Sequence, residues 1–215
     1  MKIALFGATG ALGSEVLHQA VASGLEVVAL VREPNKIKTN HPLLNVVKGD
    51  VLIQDDVNKV ISGVDAVVSC FGHSFSQLKA SPAGLQTEGT RNILRAMHLA
   101  GVKRIISLSG GALPFPSHDK PKMVDRLARF IMSKLVPKVI NDAQDHAELL
   151  EKSNLDWTIV RGARFSDGPF TGNYNVAWVG VDSGLKIGRP DLAHAILRIL
   201  KEGTYLRQMP FVSQK

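Results

Sequence analysis

One cysteine in 215 residues leaves no internal disulfide, which fits a chain kept in a reducing compartment. No stretch approaches the roughly 20 consecutive apolar residues of a membrane span. The first apolar run, Ile3 to Phe6, is cut by Gly7 and is too short for the core of a signal peptide. A cytoplasmic location without a membrane span is therefore expected. Low-complexity tracts, internal repeats and interdomain linkers are absent as well, so a single domain over 1–215 is expected. Basic residues are plentiful: 26 Lys and Arg against 19 Asp and Glu give a net charge of +7. They are spread along the chain without interleaved aromatics, so nucleic acid is not the expected partner. An anionic cofactor and an anionic substrate explain the sign equally well. Hydrophobic residues at 45% and charged residues at 21% are those of an ordinary globular core and surface.

What the chain does have is concentrated at its start. Lys2 to Gly13 reads Lys-Ile-Ala-Leu-Phe-Gly-Ala-Thr-Gly-Ala-Leu-Gly, an apolar run that breaks into three glycines spaced three apart. An amphipathic stretch from Ala11 to Ser23 follows, then a second apolar run from Glu26 to Val31. This is strand, phosphate loop, helix and strand, the context in which such a glycine triplet binds a dinucleotide. Gly7 turns the chain, Gly10 lets backbone amides approach a pyrophosphate, and Gly13 lets the helix lie close on the strand. Thr9, Ala11 and Leu12 complete the loop that faces the anion, with the positive end of the helix dipole behind it.

The end of the second strand distinguishes NAD from NADP, because an NAD site places a carboxylate there for the ribose 2′-OH. This chain has Arg32, whose guanidinium suits a 2′-phosphate and favours NADP. Lys36 adds a second positive charge, while Glu33 stands as the alternative ribose acceptor.

Further on, apolar runs at Leu44 to Lys48, Ala66 to Cys70, Arg104 to Leu108 and Asp156 to Arg161 alternate with helical patterns. That alternation predicts crossover units and a parallel sheet. Helices are expected over Asp55 to Ile61, Ala83 to Ala100, Met123 to Leu135 and Val139 to Ser153. A last helix runs from Arg189-Pro190-Asp191 to about Lys201, with Asp191 as its cap, and Gln208 to Val212 is expected to close the sheet edge. Six glycines from Gly162 to Gly188, with Pro169 among them, mark 162–190 as a small lid of loops and short strands on the substrate side. The fold class is α/β, a Rossmann-like, doubly wound parallel sheet with helices on both faces.

On these motifs, together with Leu-Val-Arg at 30–32, Gly-Asp-Val at 49–51, Glu-Gly-Thr-Arg-Asn-Ile at 88–93, Ser-Leu-Ser at 107–109 and Leu-Asp-Trp-Thr-Ile-Val-Arg at 155–161, the chain resembles the atypical short-chain dehydrogenases/reductases. Within them it is similar to the biliverdin-reductase-B-like and flavin-reductase-like branch, which shares the Gly-Asp-Val-Leu run and the Pro-Phe-Thr-Gly-Asn-Tyr type of segment at 169–174. The resemblance implies that the Asp50 carboxylate and the Val51 amide meet the adenine. It implies that Cys70, Phe71 and Gly72 pass close to the ribose. Cys70, a lone thiol on an apolar strand, reads as a small core residue rather than a nucleophile. His73 opens the loop beyond, where it reaches either substrate or solvent. Ser109 ends the fifth strand and, in the resembled family, hydrogen-bonds the substrate carbonyl or the nicotinamide amide; the alternative is a turn cap before Gly110-Gly111. Arg161 and Ala163 stand where backbone amides of such proteins hold the carboxamide, with Gly162 replacing the usual proline.

The Tyr-x-x-x-Lys pair of ordinary short-chain dehydrogenases is missing, since Trp178 and Met209 lie four residues beyond Tyr174 and Tyr205. Reducing an isolated ketone produces a basic alkoxide that calls for a tuned acid. A flavin or conjugated tetrapyrrole instead yields a delocalised anion that water can protonate. NADPH-dependent reduction of a flavin or other conjugated small-molecule acceptor is thus the expected function, with Ser109 as the catalytic residue. A nonenzymatic redox sensor resembling NmrA-like proteins and an isomerase or epimerase with bound nucleotide are the alternatives. Monomer and homodimer are both compatible. Asp142 and His146 form an i, i+4 pair expected on a solvated helix face, and without a second histidine no metal site is expected. Met123 to Leu135 sets Arg126, Arg129 and Lys134 against Leu127, Phe130, Ile131 and Leu135; a core-packing helix with a basic outer face is expected, with a membrane surface or an acidic substrate as alternatives.

Overall fold

The computed structural model describes residues 1–73 and 82–215. Strands β1 (Lys2–Phe6), β2 (Glu26–Val31), β3 (Leu44–Lys48), β4 (Ala66–Ser69), β5 (Arg104–Gly110) and β6 (Asp156–Gly162) alternate with helices α1 (Ala11–Ala22), α2 (Gln54–Ile61), α3 (Leu85–Ala100), α4 (Met123–Leu135) and α5 (Pro137–Glu151). The chain continues through β7 (Arg164–Ser166), β8 (Tyr174–Ala177), β9 (Lys186–Gly188), α6 (Arg189–Glu202) and β10 (Phe211–Gln214). The main sheet has the order β3-β2-β1-β4-β5-β6-β10-β8. All of its pairings are parallel except β8 against β10. The doubly wound order reverses between β1 and β4, the position at which open α/β sheets bind ligands.

Ile3 and Leu5 face one core with α1 and α6, whereas Ala4 and Phe6 face the other with α2, α3 and α5. Strands buried on both faces carry continuous apolar runs rather than alternation, which is why β1, β2 and β4 are so plain in the sequence.

Three expectations about the C-terminal third are corrected. β10 does not close the sheet; β8 does, and residues 162–190, expected as a lid, therefore contribute a strand to the main sheet as well as the separate β7-β9 pair. The residue capping α6 is Gly188, not Asp191. The Asp191 carboxylate instead accepts hydrogen bonds from the Thr171 and Gly172 amides at 3.0 and 2.8 Å and from the Thr171 hydroxyl at 2.8 Å, tying the 170s loop to the helix. α5 begins at Pro137, where the missing proline N–H costs nothing in the first helical turn.

Candidate functional site

The switch point is built by backbone proximity. Gly7 has φ +85°, and a Cβ there would stand 2.6 Å from the Phe71 nitrogen and 2.7 Å from the Cys70 carbonyl carbon. Only glycine allows the ends of β1 and β4 to meet. A Cβ on Gly13 would fall 2.0 Å from the Gly7 carbonyl oxygen, so α1 sits on the loop as closely as backbone permits. Gly10 differs: its φ of −76° suits any residue, and a Cβ there would meet just the Gly7 oxygen, at 3.3 Å. Its amide donates to Gly7 at 2.9 Å and its carbonyl accepts from Ser14 at 2.8 Å.

No side chain caps α1, and no acidic residue occupies its first turn. The amides of Ala11, Leu12 and Gly13 therefore lack intrahelical acceptors and point into the loop. Thr9, Gly10 and Ala11 are exposed there, while the Leu12 side chain is in the core, so Leu12 has its backbone to offer. An anion could be held there by backbone amides.

Arg32 lies exposed just past β2. Glu33 is engaged by Lys36 at 2.6 Å, whose hydrogen bond and charge hold the carboxyl below its ordinary range. Asp50 Oδ1 accepts from the Leu52 amide at 3.0 Å, which shapes the turn after β3, and the Val51 carbonyl takes Asn92 Nδ2 at 3.0 Å. Burial pushes the Cys70 thiol up to about 12, so it stays protonated and unreactive.

Beyond β4 the Gln86 side-chain amide donates to the carbonyls of Phe71 and Leu108 at 3.4 and 3.5 Å, stitching the ends of β4 and β5 together. Asp142 reaches across from α5 to accept from the Gln86 and Thr87 amides at 2.8 and 2.9 Å and from the Thr87 hydroxyl at 2.5 Å. It thus caps α3 from a different helix. His73 Nε2 lies 2.6 Å from the same carboxylate. Burial would raise the Asp142 carboxyl, but the Thr87 hydroxyl, the two amides and His73 outweigh it and hold it low. The expected solvated face is corrected here: Asp142 and His146 are both buried. His146 bridges the Thr90 and Ser107 hydroxyls at 3.2 and 3.4 Å. Burial drops its pKa to about 4, against the opposing pull of Asp142, so it is a neutral core residue.

Ser109, two residues beyond Ser107 on the same strand, is 4% exposed, and its hydroxyl has no hydrogen-bond partner among the described residues. A buried hydroxyl without a partner at the C-terminal end of a central strand is the atom a bound ligand would satisfy. Its register partner on β6 is Arg161, which is fully buried and already engaged. Arg161 donates to the carbonyls of Met209 and Leu113 at 2.7 and 2.8 Å and makes a two-pronged pair with Asp119 at 2.8 Å on each side. The Arg161 amide also donates to the Pro210 carbonyl, just before β10, and the Ala163 amide to Val212 in β10. Both amides expected at a carboxamide are thus engaged within the protein. A Cβ on Gly162 would lie 2.3 Å from the Phe165 ring, so Gly162 packs closely against it.

Asp119, Gln86 and Thr90 were not evident from local pattern. A buried arginine on an apolar strand demands a carboxylate somewhere, but nothing in His-Asp-Lys-Pro-Lys marks Asp119 as that partner. Among the described residues, no three or more His, Cys, Asp or Glu side chains gather as a metal site.

Residues 7–203 match the family described as NAD(P)H-binding. The chain belongs to that family. One relative is YwnB of Bacillus subtilis, 28% identical over 178 residues that cover 81% of this chain and 78% of YwnB. Two further relatives are longer proteins, of which the matched region covers 46% and 62%. The fold coincides with that of a Veillonella parvula short-chain dehydrogenase/reductase in complex with NADP, at a TM-score of 0.77 and 17% identity over 99% of this chain and 94% of that one. It coincides equally with ChuY, an anaerobilin reductase of Escherichia coli O157:H7, at 0.76 and 19% identity over 100% of this chain and 97% of that one. The doubly wound architecture and the atypical short-chain dehydrogenase/reductase resemblance are both borne out, and the loop from Gly7 to Gly13 opens the family match.

Proposed function

We propose that this family member is an NADPH-dependent reductase that passes hydride to a flavin or another conjugated acceptor. Gly7, Thr9, Gly10 and the amides of Ala11, Leu12 and Gly13 would hold the pyrophosphate. Arg32 would take the 2′-phosphate, since Lys36 already occupies Glu33. Asp50 and Val51 would flank the adenine, and the turn Cys70-Phe71-Gly72 the ribose. Bound NADPH supplies the hydride; the protein orients the ring and the acceptor through Ser109.

The observation that carries the reading is the engagement of both tyrosines. The Tyr174 hydroxyl lies 2.6 Å from His194 Nδ1, burial raises its pKa, and the Tyr205 hydroxyl donates to the Val176 carbonyl at 3.4 Å. Neither is available as the proton donor a ketone reductase requires, so an acceptor that tolerates protonation by water fits best. ChuY, which shares the fold, is described as reducing anaerobilin, and a conjugated tetrapyrrole is such an acceptor.

The test is steady-state NADPH oxidation with FMN, FAD, a quinone and biliverdin, using Gly10→Val as the control for cofactor binding. Turnover with at least one acceptor, lost in Gly10→Val, supports the reading. Tight NADPH binding without turnover on any acceptor would favour a redox sensor.

A further inference from the structure

α4 is turned inside out. Its polar residues Asp125 and Arg129 face the body, with Arg129 donating to Asp119 at 2.7 Å, and no residue of the helix is buried. Met123, Val124, Leu127, Phe130, Ile131 and Leu135 face away, with Met123 80% and Phe130 61% exposed. At 100° per residue these six side chains fall within one arc of the helix, about 20 Å long. The expected core-packing helix is thereby corrected: the apolar stripe is the outer face.

Such a contiguous exposed patch marks an interaction surface, and charge says with what. From Lys120 to Lys138 the chain carries six basic residues and one acidic one, Asp125. The Asp125 carboxylate is engaged by the Lys122 amide at 2.8 Å, and Lys120, Lys122, Arg126, Lys134 and Lys138 are all exposed. Lys134 Nζ lies 5.8 Å from the Phe130 ring centre, its stem along the apolar face and its charge free to rise toward a charged boundary. A second copy would bring one basic rim against another, which opposes self-association in a chain of net charge +7. A single convex helix needs a deformable surface rather than a preformed groove.

We propose that α4 docks this protein on an anionic lipid surface, its apolar stripe entering the headgroup boundary and its lysines and arginines meeting lipid phosphates. The inference is independent of which acceptor the reductase site takes.

Flotation of the full chain with vesicles of phosphatidylcholine alone and with about one-third phosphatidylglycerol tests it. Binding is expected on the anionic vesicles, weakening as salt rises past about 0.1 M. Leu127→Asp with Phe130→Asp should lower the bound fraction at least about tenfold while NADPH affinity stays unchanged. Arg126→Glu with Lys134→Glu, which leaves the apolar stripe intact, should do the same, and keeps the test valid were the first pair to misfold. A Phe130→Trp probe should shift its emission to the blue on anionic vesicles. Absence of binding to anionic vesicles, or binding indifferent to both variant pairs, overturns the proposal. So does a dimer in sedimentation equilibrium that the Leu127/Phe130 pair dissolves, since a second copy would then cover the stripe.

Discussion

Asp119 and Arg161 form a two-pronged ion pair across the C-terminal end of the sheet, with Nη1 and Nη2 each 2.8 Å from a different carboxylate oxygen. The same carboxylate accepts from Arg129 at 2.7 Å and from the Phe115 and Val179 amides at 2.9 and 3.2 Å. One aspartate thus anchors β6, the loop after β5, α4 and the turn after β8. Burial would raise its pKa, but Arg161, the Phe115 amide and Arg129 draw it down to about 2.

Removing the carboxylate leaves a fully buried guanidinium without its counter-charge. Asp119→Ala is expected to destabilise the fold by about 3–5 kcal/mol, the cost of breaking a buried pair from one side. Replacing both partners, as in Asp119→Ala with Arg161→Met, should cost less than the sum of the two single losses. Urea unfolding of all four proteins measures the coupling, and strict additivity would mean that the pair is not a unit.

His146 gives the fold an acid limit of its own. Its folded pKa of about 4 lies below the 6.5 of an unfolded histidine, so between these values the unfolded state binds more protons. Stability is therefore complete above about pH 6.5 and is lost as pH falls toward 4, by about 3 kcal/mol in all. His146→Gln should flatten that part of the profile while remaining able to bond Thr90 and Ser107. Unfolding midpoints at pH 7, 6, 5 and 4.5 for both proteins would show it; parallel curves would exclude His146 as the source.

The glycine loop, the alternation of strands and helices and the position of Ser109 were legible in the sequence because each is local: a period, a turn residue, a strand end. The partners of Arg161, Asp142 and His146 were not. Each lies on another element, and polar residues at i, i+4 look the same whether they face water or cap a neighbouring helix. α4 was misread for a different reason. Its periodicity locates an apolar face but does not say whether protein lies against it, and Arg129, counted as part of the outer basic face, turns inward to Asp119. The antiparallel β8 was hidden among glycines, where short strands leave little alternation to read.

In the proposed reading, cofactor choice rests on Arg32. With Glu33 engaged by Lys36, NADPH is expected to bind well over tenfold more tightly than NADH. Arg32→Ala should lose about 1.5–3 kcal/mol of NADPH affinity, the worth of a charge-assisted bond to phosphate, with little change for NADH. Fluorescence titration of both proteins with both cofactors decides it, and equal affinities in the parent protein would assign the ribose site to another residue.

Ser109→Ala separates orientation from acid catalysis, because the two roles predict effects of different size and the orphaned hydroxyl adds a second readout. Among the described residues the buried hydroxyl has no partner, so its removal should leave stability unchanged or raise it by up to about 1 kcal/mol. Single-turnover reduction of FMN should nevertheless slow about tenfold, since a neutral hydrogen bond that orients a group is worth roughly 1 kcal/mol. Opposite signs in stability and rate are what a ligand-facing hydroxyl produces; a turn cap would lose stability and leave the rate alone. Were Ser109 part of a proton path, its loss should cost about 10²–10⁴-fold and a solvent isotope effect should appear. A loss above about a hundredfold would point to a carbonyl acceptor, with His73, held 2.6 Å from Asp142, as the group next to examine as the donor.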